Sequence, residues 1–196
     1  TVPPKAAVLP QCETLVSYKK SKDPENPERV TMSLDDSIEA QPTVVFACRP
    51  CDARGFSVLD RPYLQGPFAD PYYKARREAR TVGTITCASG CNTCFCHWVG
   101  GGPSSPEGSD VLMTEIEGGY VLQAVTPKGE ELLAASDLPD GAEQFPLAEA
   151  ARNAAWATLE PAPNIKDAPE KLAALFTDTE FWQSQTDRCL SCGACT

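Results

Sequence analysis

The chain has 196 residues, a net charge of −10 and ten cysteines. An apolar content of 42 % is enough to build a core without disulfide bonds, which disfavours a small secreted disulfide scaffold. The acidic charge repels phosphate backbones, so nucleic acid is not expected as a partner.

The sequence also predicts a cytoplasmic protein. No stretch of about 18 apolar residues occurs, so no membrane span is predicted. The start, "TVPPKAAVLP", lacks the apolar segment of a secretory signal.

The first half of the chain alternates predicted strands and helices. A strand near 14–18 precedes the exposed turn region "SKDPENPERV". The β-branched run "TVVFA" predicts a buried strand over 43–47 that ends in "CRPCD". A helix should follow with Asp52 as its N-cap, and "DPYYKARREAR" predicts a second helix that begins with Asp and Pro. "TVGTIT" predicts a strand over 81–86 that leads directly into Cys87.

The second half predicts a hairpin and then helices. Residues 109–126, "SDVLMTEIEGGYVLQAVT", are typical of two strands joined by a Gly-Gly turn. "PKGEELLAAS", "QFPLAEAARNAAWATLE" and the segment after it predict helices. We therefore expect an α/β fold, a mixed sheet with flanking helices, with α+β as the alternative. The expected domains are an α/β iron–sulfur domain over 1–140, a helical connector over 141–186, and the start of a ferredoxin-like module over 187–196.

The tail "RCLSCGACT" carries the most specific signal. Cys189, Cys192 and Cys195 have the spacing C-x2-C-x2-C, the first three ligands of the bacterial ferredoxin run. Small residues between them allow a tight loop, and zinc sites rarely use three cysteines at this spacing. The tail therefore predicts the start of a [4Fe–4S] module. A fourth ligand is expected beyond Thr196 in a longer parent chain.

Six further cysteines lie in two groups after predicted strands: Cys48, Cys51, Cys87, Cys91, Cys94 and Cys96. A strand–helix–strand arrangement would bring both groups to one edge of the sheet.

Three interpretations of these two groups are open. A thiol–disulfide oxidoreductase would use Cys48 and Cys51, whose C-x2-C precedes a predicted helix. A zinc-stapled interaction domain would pair those two with Cys91 and Cys94. An iron–sulfur site would use cysteines from both groups.

Several stretches, in the same order, resemble one family of iron–sulfur electron-transfer subunits. The family includes the beta subunits of cytoplasmic sulfhydrogenases and the A subunit of anaerobic sulfite reductase. The resemblance covers most of residues 3–135 plus the tail, and it is carried by "PPKAAVLPQCETLV", "CRPCDARGFSVLD", "DPYYKARREAR", "CNTCFC", "GSDVLMTEI", "PKGEELL" and "CLSCGACT".

The resemblance implies a set of cluster ligands. The family's R-x-C-D, its isolated cysteine after a strand and its C-F-C pair correspond here to Cys51, Cys87, Cys94 and Cys96. Four thiolates are enough for one [4Fe–4S] cluster. Cys48 and Cys91 are additional thiols, either of which can replace a member of this set.

The resemblance also implies a function. We expect a non-catalytic subunit that relays single electrons between a flavin- or nucleotide-binding subunit and the catalytic subunit of a hydrogenase- or sulfite-reductase-like complex. One [4Fe–4S] cluster is expected in the α/β domain and at least one in the ferredoxin-like module. Phe95 and Trp98 are expected to shield the first cluster from water, and His97 is expected to be a loop residue.

Overall fold

The computed structural model describes residues 4–26, 28–187 and 189–191. They form two compact units, one that ends at Glu160 and one that begins at Pro161. Cys192 and Cys195, two of the predicted tail ligands, lie outside the described residues.

The described residues form two sheets. The strands are β1 Ser17–Lys22, β2 Val30–Asp35, β3 Thr43–Cys48, β4 Arg80–Ile85, β5 Val111–Ile116 and β6 Gly119–Ala124. β1 and β2 pair as an antiparallel ribbon, and the other four form a sheet in the order β3-β4-β5-β6. β3, β4 and β5 run parallel, whereas β6 returns antiparallel to β5. The predicted α/β fold, a mixed sheet with flanking helices, is confirmed.

Six α-helices accompany the strands: α1 Pro50–Leu64, α2 Pro71–Glu78, α3 Pro127–Ala134, α4 Phe145–Ala157, α5 Ala168–Leu175 and α6 Thr179–Thr186. Each of the first four has proline at its first or second position, where the missing N–H costs nothing. Asp70 caps α2 by accepting from the backbone N–H groups of Tyr72 and Tyr73, each at 2.9 Å. α5 and α6 belong to the unit that begins at Pro161.

Two local predictions need correction. Helix α1 begins at Pro50 rather than after Asp52, and Asp52 instead accepts from the backbone N–H of Arg49 at 3.3 Å. The carboxylate therefore supports the helix start from inside the first turn. Strand β2 was not predicted, although Val30, Met32 and Leu34 alternate with polar residues as a strand requires.

One core cluster of the larger unit lies beneath α1. Its buried members are Val8, Cys48, Ala53, Phe56, Tyr73 and Val82. The ring of Tyr73 stacks on Tyr63 with centroids 4.7 Å apart, and its hydroxyl donates to Asp60 at 2.7 Å. Asp60 also accepts from Arg77 at 3.1 Å, so the buried hydroxyl and the carboxylate both have partners. This packing fixes α1 and α2 against the sheet.

In the ranges that the structure describes, no helix is both long enough and apolar enough to cross a membrane.

Candidate functional site

The parallel strands bring the two central cysteine groups to one edge of the sheet. β3 ends at Cys48, α1 places Cys51 in its first turn, and Cys87 follows β4 by two residues. Because β3 and β4 are parallel neighbours, their carboxyl ends lie side by side. The predicted meeting of both groups at this edge is confirmed.

A cavity of about 650 Å³ opens at this edge. Its walls include apolar side chains such as Val58, Ile85 and Phe95. Five of the six central cysteines line it: Cys51, Cys87, Cys91, Cys94 and Cys96. Phe95 therefore lies at the cavity as expected, although its side chain is 57 % exposed, and Trp98 is not among the lining residues.

The pKa values of two cavity thiols, the partly buried Cys87 and the exposed Cys51, indicate which sulfurs interact. Burial raises the pKa of Cys87, the positive charge of Arg49 opposes that rise, and the thiols of Cys51, Cys96 and Cys94 add to it. Burial also raises the pKa of Cys51, with further increases from the Asp52 carboxylate and from Cys96. Negative charge on Cys51, Cys94 or Cys96 therefore opposes ionisation of Cys87, and charge on Cys96 opposes ionisation of Cys51. Such a set favours a bound cation that neutralises the charge.

Cys48 is turned away from the cavity. β3 contains a register irregularity between Val45 and Cys48, and Ala47 there has a positive φ of 58°. The bulged backbone directs the Cys48 thiol inward, 3.8 Å from the carbonyl oxygen of Gly83 and 3.4 Å from the hydroxyl of Thr84. The residue is 7 % exposed, and burial raises its pKa. Cys48 therefore contributes to the core.

Cys91 and Cys94 form a close pair on a turn. The N–H of Cys94 donates to the carbonyl of Cys91 at 3.0 Å, and the two sulfurs are 2.9 Å apart. The hydrogen bond from Cys94, assisted by Thr93, lowers the pKa of Cys91 to about 7 and raises that of Cys94. Two sulfurs of a tetrahedral zinc site stand about 3.8 Å apart, given Zn–S bonds of about 2.3 Å. The observed pair is closer than that.

The loop after β4, which carries the second group of central cysteines, is anchored at several points. The N–H of Cys87 donates to Pro103 at 2.8 Å, and the N–H of Gly101 donates to Cys96 at 2.9 Å. His97 donates through Nε2 to the carbonyl oxygen of Glu160 at 2.7 Å, so its ring fastens the loop to the end of the same unit. His97 was predicted to be a loop residue, whereas it lies in the short 3₁₀ helix Cys96–Val99.

Sequence reasoning missed the contacts that hold this loop against α1. Arg54 donates through Nε to Glu107 at 2.7 Å, across 53 residues of chain. Gly108 has a φ of +81°, and a Cβ there would overlap the carbonyl oxygen of Ala53. The glycine thus allows the loop to approach the helix that carries Cys51. A glycine with a positive φ produces no periodic pattern in the sequence. The close approach of Gly108 to α1 depends on tertiary packing.

The arrangement of the cavity cysteines bears on which kind of metal centre they can hold. No three His, Cys, Asp or Glu side chains among the described residues converge on a point where one ion would bind. In a [4Fe–4S] cubane each cysteine binds a different iron, so the sulfurs stand round the cluster rather than round one ion. Four interacting thiols on the walls of one cavity fit that requirement better than they fit zinc.

One tail cysteine is described. Cys189 is exposed, and its sulfur accepts from the backbone N–H of Ser191 at 3.4 Å. Backbone N–H donors to cysteine sulfur are the kind of contact expected round an iron–sulfur cluster.

One curated relative was found by comparison with known proteins. The chain is similar to sulfhydrogenase 2 subunit beta of Pyrococcus furiosus (strain ATCC 43587 / DSM 3638 / JCM 8422 / Vc1), with 29 % identity over 170 residues. The match covers 78 % of this chain and 46 % of the relative, so the chain spans about half the length of the curated relative it matches. No family model matches the chain, and no solved structure matches it. The relative supports the resemblance to sulfhydrogenase beta subunits, and the resemblance to sulfite reductase subunits stays a prediction.

Proposed function

We propose that the chain is an iron–sulfur electron-transfer subunit of a hydrogenase- or sulfite-reductase-like complex. It relays single electrons between a flavin- or nucleotide-binding subunit and a catalytic subunit, and it catalyses no reaction alone. One [4Fe–4S] cluster is held by Cys51, Cys87, Cys94 and Cys96.

One observation carries this proposal. The four cysteines that the resemblance selects line the same cavity. Negative charge on the other three raises the pKa of Cys87. Cys48, which the resemblance treats as additional, is buried in the core instead. Cys91 also lines the cavity, so the resemblance supplies the choice of four among the five cysteines there. The name of the curated relative supports the hydrogenase part of the proposal.

A bound cluster supplies reversible one-electron transfer with little rearrangement. The protein's own residues perform the remaining tasks. Cys51 approaches the cavity from the first turn of α1, where the positive end of the helix dipole stabilises a thiolate. Arg49, which also lines the cavity, offsets part of the negative charge of the thiolates. Val58, Ile85 and Phe95 supply apolar surface to the cavity.

The tail extends the proposal to a second cluster. Cys189, Cys192 and Cys195 supply three ligands of a ferredoxin-like [4Fe–4S] module. Two clusters in one subunit provide two successive redox centres for an electron that passes from one partner subunit to the next.

The proposal is tested by metal analysis of protein purified without oxygen. Iron, inorganic sulfide and the EPR spectrum of the reduced protein are measured for the wild type and for single Cys→Ser variants. Substitution of Cys51, Cys87, Cys94 or Cys96 should remove about four irons, one complete cluster. The matched controls Cys12→Ser and Cys48→Ser should keep the wild-type iron content, because neither thiol lines the cavity.

Two outcomes contradict the proposal. Iron content that is unchanged in all four cavity variants would show that the ligand set is wrong. Stoichiometric zinc with no visible absorption near ~400 nm would instead favour a structural domain.

A further inference from the structure

Cys91 is the cavity thiol that the proposed cluster does not use. It lies three residues before Cys94, on a turn closed by the hydrogen bond from the Cys94 N–H to the Cys91 carbonyl. Its backbone N–H also donates to the Cys94 sulfur at 3.2 Å. Both ends of the C-x2-C are therefore held so that the side chains meet.

The two sulfurs are already in contact at 2.9 Å. A disulfide bond is about 2.05 Å long, so its formation requires the sulfurs to approach by less than about 1 Å. The turn brings the two α-carbons within the range that such a bond needs. Cys91 is exposed, so an oxidant can reach it from solvent.

The other C-x2-C of the larger unit lacks these properties. The Cys48 thiol is buried against Gly83 and Thr84, whereas the Cys51 thiol faces the cavity. A thiol–disulfide site at the start of α1 is therefore disfavoured, and the same chemistry is favoured on the turn.

We propose that Cys91 and Cys94 form a dithiol site that is oxidised by low-molecular-weight disulfides. The Cys91 thiolate attacks one sulfur of glutathione disulfide, which breaks the oxidant's S–S bond and releases one glutathione thiol. Cys94 then attacks the mixed disulfide, forms the Cys91–Cys94 bond and releases the second glutathione thiol. The protein loses two electrons and two protons, and the oxidant gains them.

The site also affects the proposed cluster, a consequence that rests on the proposed function. Cys94 cannot bind iron while it is bonded to Cys91, because both roles use the same sulfur. Oxidation of the pair therefore withdraws one ligand, and the cluster is released. Reduction of the bond restores the complete ligand set.

The first experiment uses the complete, metal-free chain treated with glutathione disulfide, then alkylated and analysed by peptide mass spectrometry. Residues 81–128 form one tryptic peptide that carries all four loop cysteines, so single variants locate the bond. The peptide should lose two alkylation sites in the wild type and in Cys87→Ser and Cys96→Ser. It should lose none in Cys91→Ser. It should lose one in Cys94→Ser, because glutathione stays attached to Cys91 when no second thiol displaces it. A bond that persists in Cys91→Ser, or glutathione that stays attached to Cys91 in the wild type, overturns the proposal.

The second experiment measures iron release from anaerobically purified protein after addition of glutathione disulfide. Cys91→Ser should start with the wild-type iron content and release it several-fold more slowly. Equal rates of iron release from the wild type and Cys91→Ser would overturn the proposal that oxidation withdraws Cys94 as a ligand. Wild-type protein without iron would contradict the proposed function, and the alkylation result on the dithiol would stand independently.

Discussion

The two C-x2-C pairs of the larger unit have the same spacing and different surroundings. Cys48 and Cys51 span the junction between β3 and α1, whereas Cys91 and Cys94 span a turn in the loop after β4. In the first pair one thiol is buried in the core and the other lines the cavity. In the second pair both thiols line the cavity and touch each other.

The difference arises from the backbone. The bulge at Ala47 and the immediate start of a helix turn the first two side chains in different directions. The turn that closes between Cys91 and Cys94 turns the second two side chains together. Cysteine spacing therefore predicts a site only when the conformation of the intervening residues is known.

The largest expected effect concerns the contact that holds the loop against α1. Gly108→Ala should lower the free energy of unfolding by about 3 kcal/mol, because the new Cβ overlaps the carbonyl oxygen of Ala53 and the positive φ is strained. Gly118→Ala is the matched control: its φ is +87°, and a Cβ there would meet no atom within 4 Å. It should cost only about 1–2 kcal/mol. Equal losses in urea unfolding would show that the contact with α1 does not matter.

The second effect concerns the reactivity of the two pairs in metal-free protein. Cys91, with a pKa of about 7, should react with iodoacetamide several-fold faster at pH 7 than Cys51, whose pKa is raised by burial. The Cys91 rate should rise through pH 7 and then level off, while the Cys51 rate continues to rise above pH 9. Timed alkylation with peptide mass spectrometry measures both.

The control for this reactivity is Cys94→Ala, which removes the hydrogen bond that stabilises the Cys91 thiolate. The midpoint of the Cys91 profile should then move to higher pH. A profile that does not change would assign the low pKa to another cause.

The third effect separates the roles within the first pair. Cys48→Ala should lower the free energy of unfolding by roughly 1 kcal/mol, because it removes a packed sulfur from the core, and it should leave the iron content unchanged. Cys12→Ala, at an exposed position, should change stability by less than about 0.5 kcal/mol. Loss of iron from Cys48→Ala would place this thiol at the cluster and contradict the division of the pair.

The smallest effect concerns the ion pair beside the cavity. Glu107→Gln should lower the free energy of unfolding by about 0.5–1 kcal/mol, since Arg54 and Glu107 are 2.7 Å apart and only partly exposed. The control Glu78→Gln removes a 3.8 Å pair with Lys74 whose side chains are both mostly exposed, so it should cost less. If Glu78→Gln lowers the free energy of unfolding as much as Glu107→Gln does, the Arg54–Glu107 pair does not contribute specifically to holding the loop.

Much of the fold could be predicted from the sequence because its signals are local. The β-branched run before "CRPCD" forms the predicted strand, but Val44 and Phe46 are exposed, so the prediction that this strand is buried is wrong. The Asp-Pro start of α2 and the hairpin of β5 and β6 have the predicted structure. Each depends on residues within a few positions of one another, through side-chain periodicity, capping or turn geometry. The start of α1 was predicted three residues late because Asp52 acts from inside the first turn.

The sequence by itself determined that cysteines from two separate groups meet at one sheet edge, because parallel strands place their carboxyl ends together. Only the tertiary structure decided which of them share the cavity. The bulge that buries Cys48 depends on how β3 pairs with β4, and the position of the loop depends on Arg54 meeting Glu107 and on Gly108 meeting Ala53. These contacts join residues more than 30 positions apart, and no local pattern of sequence specifies them.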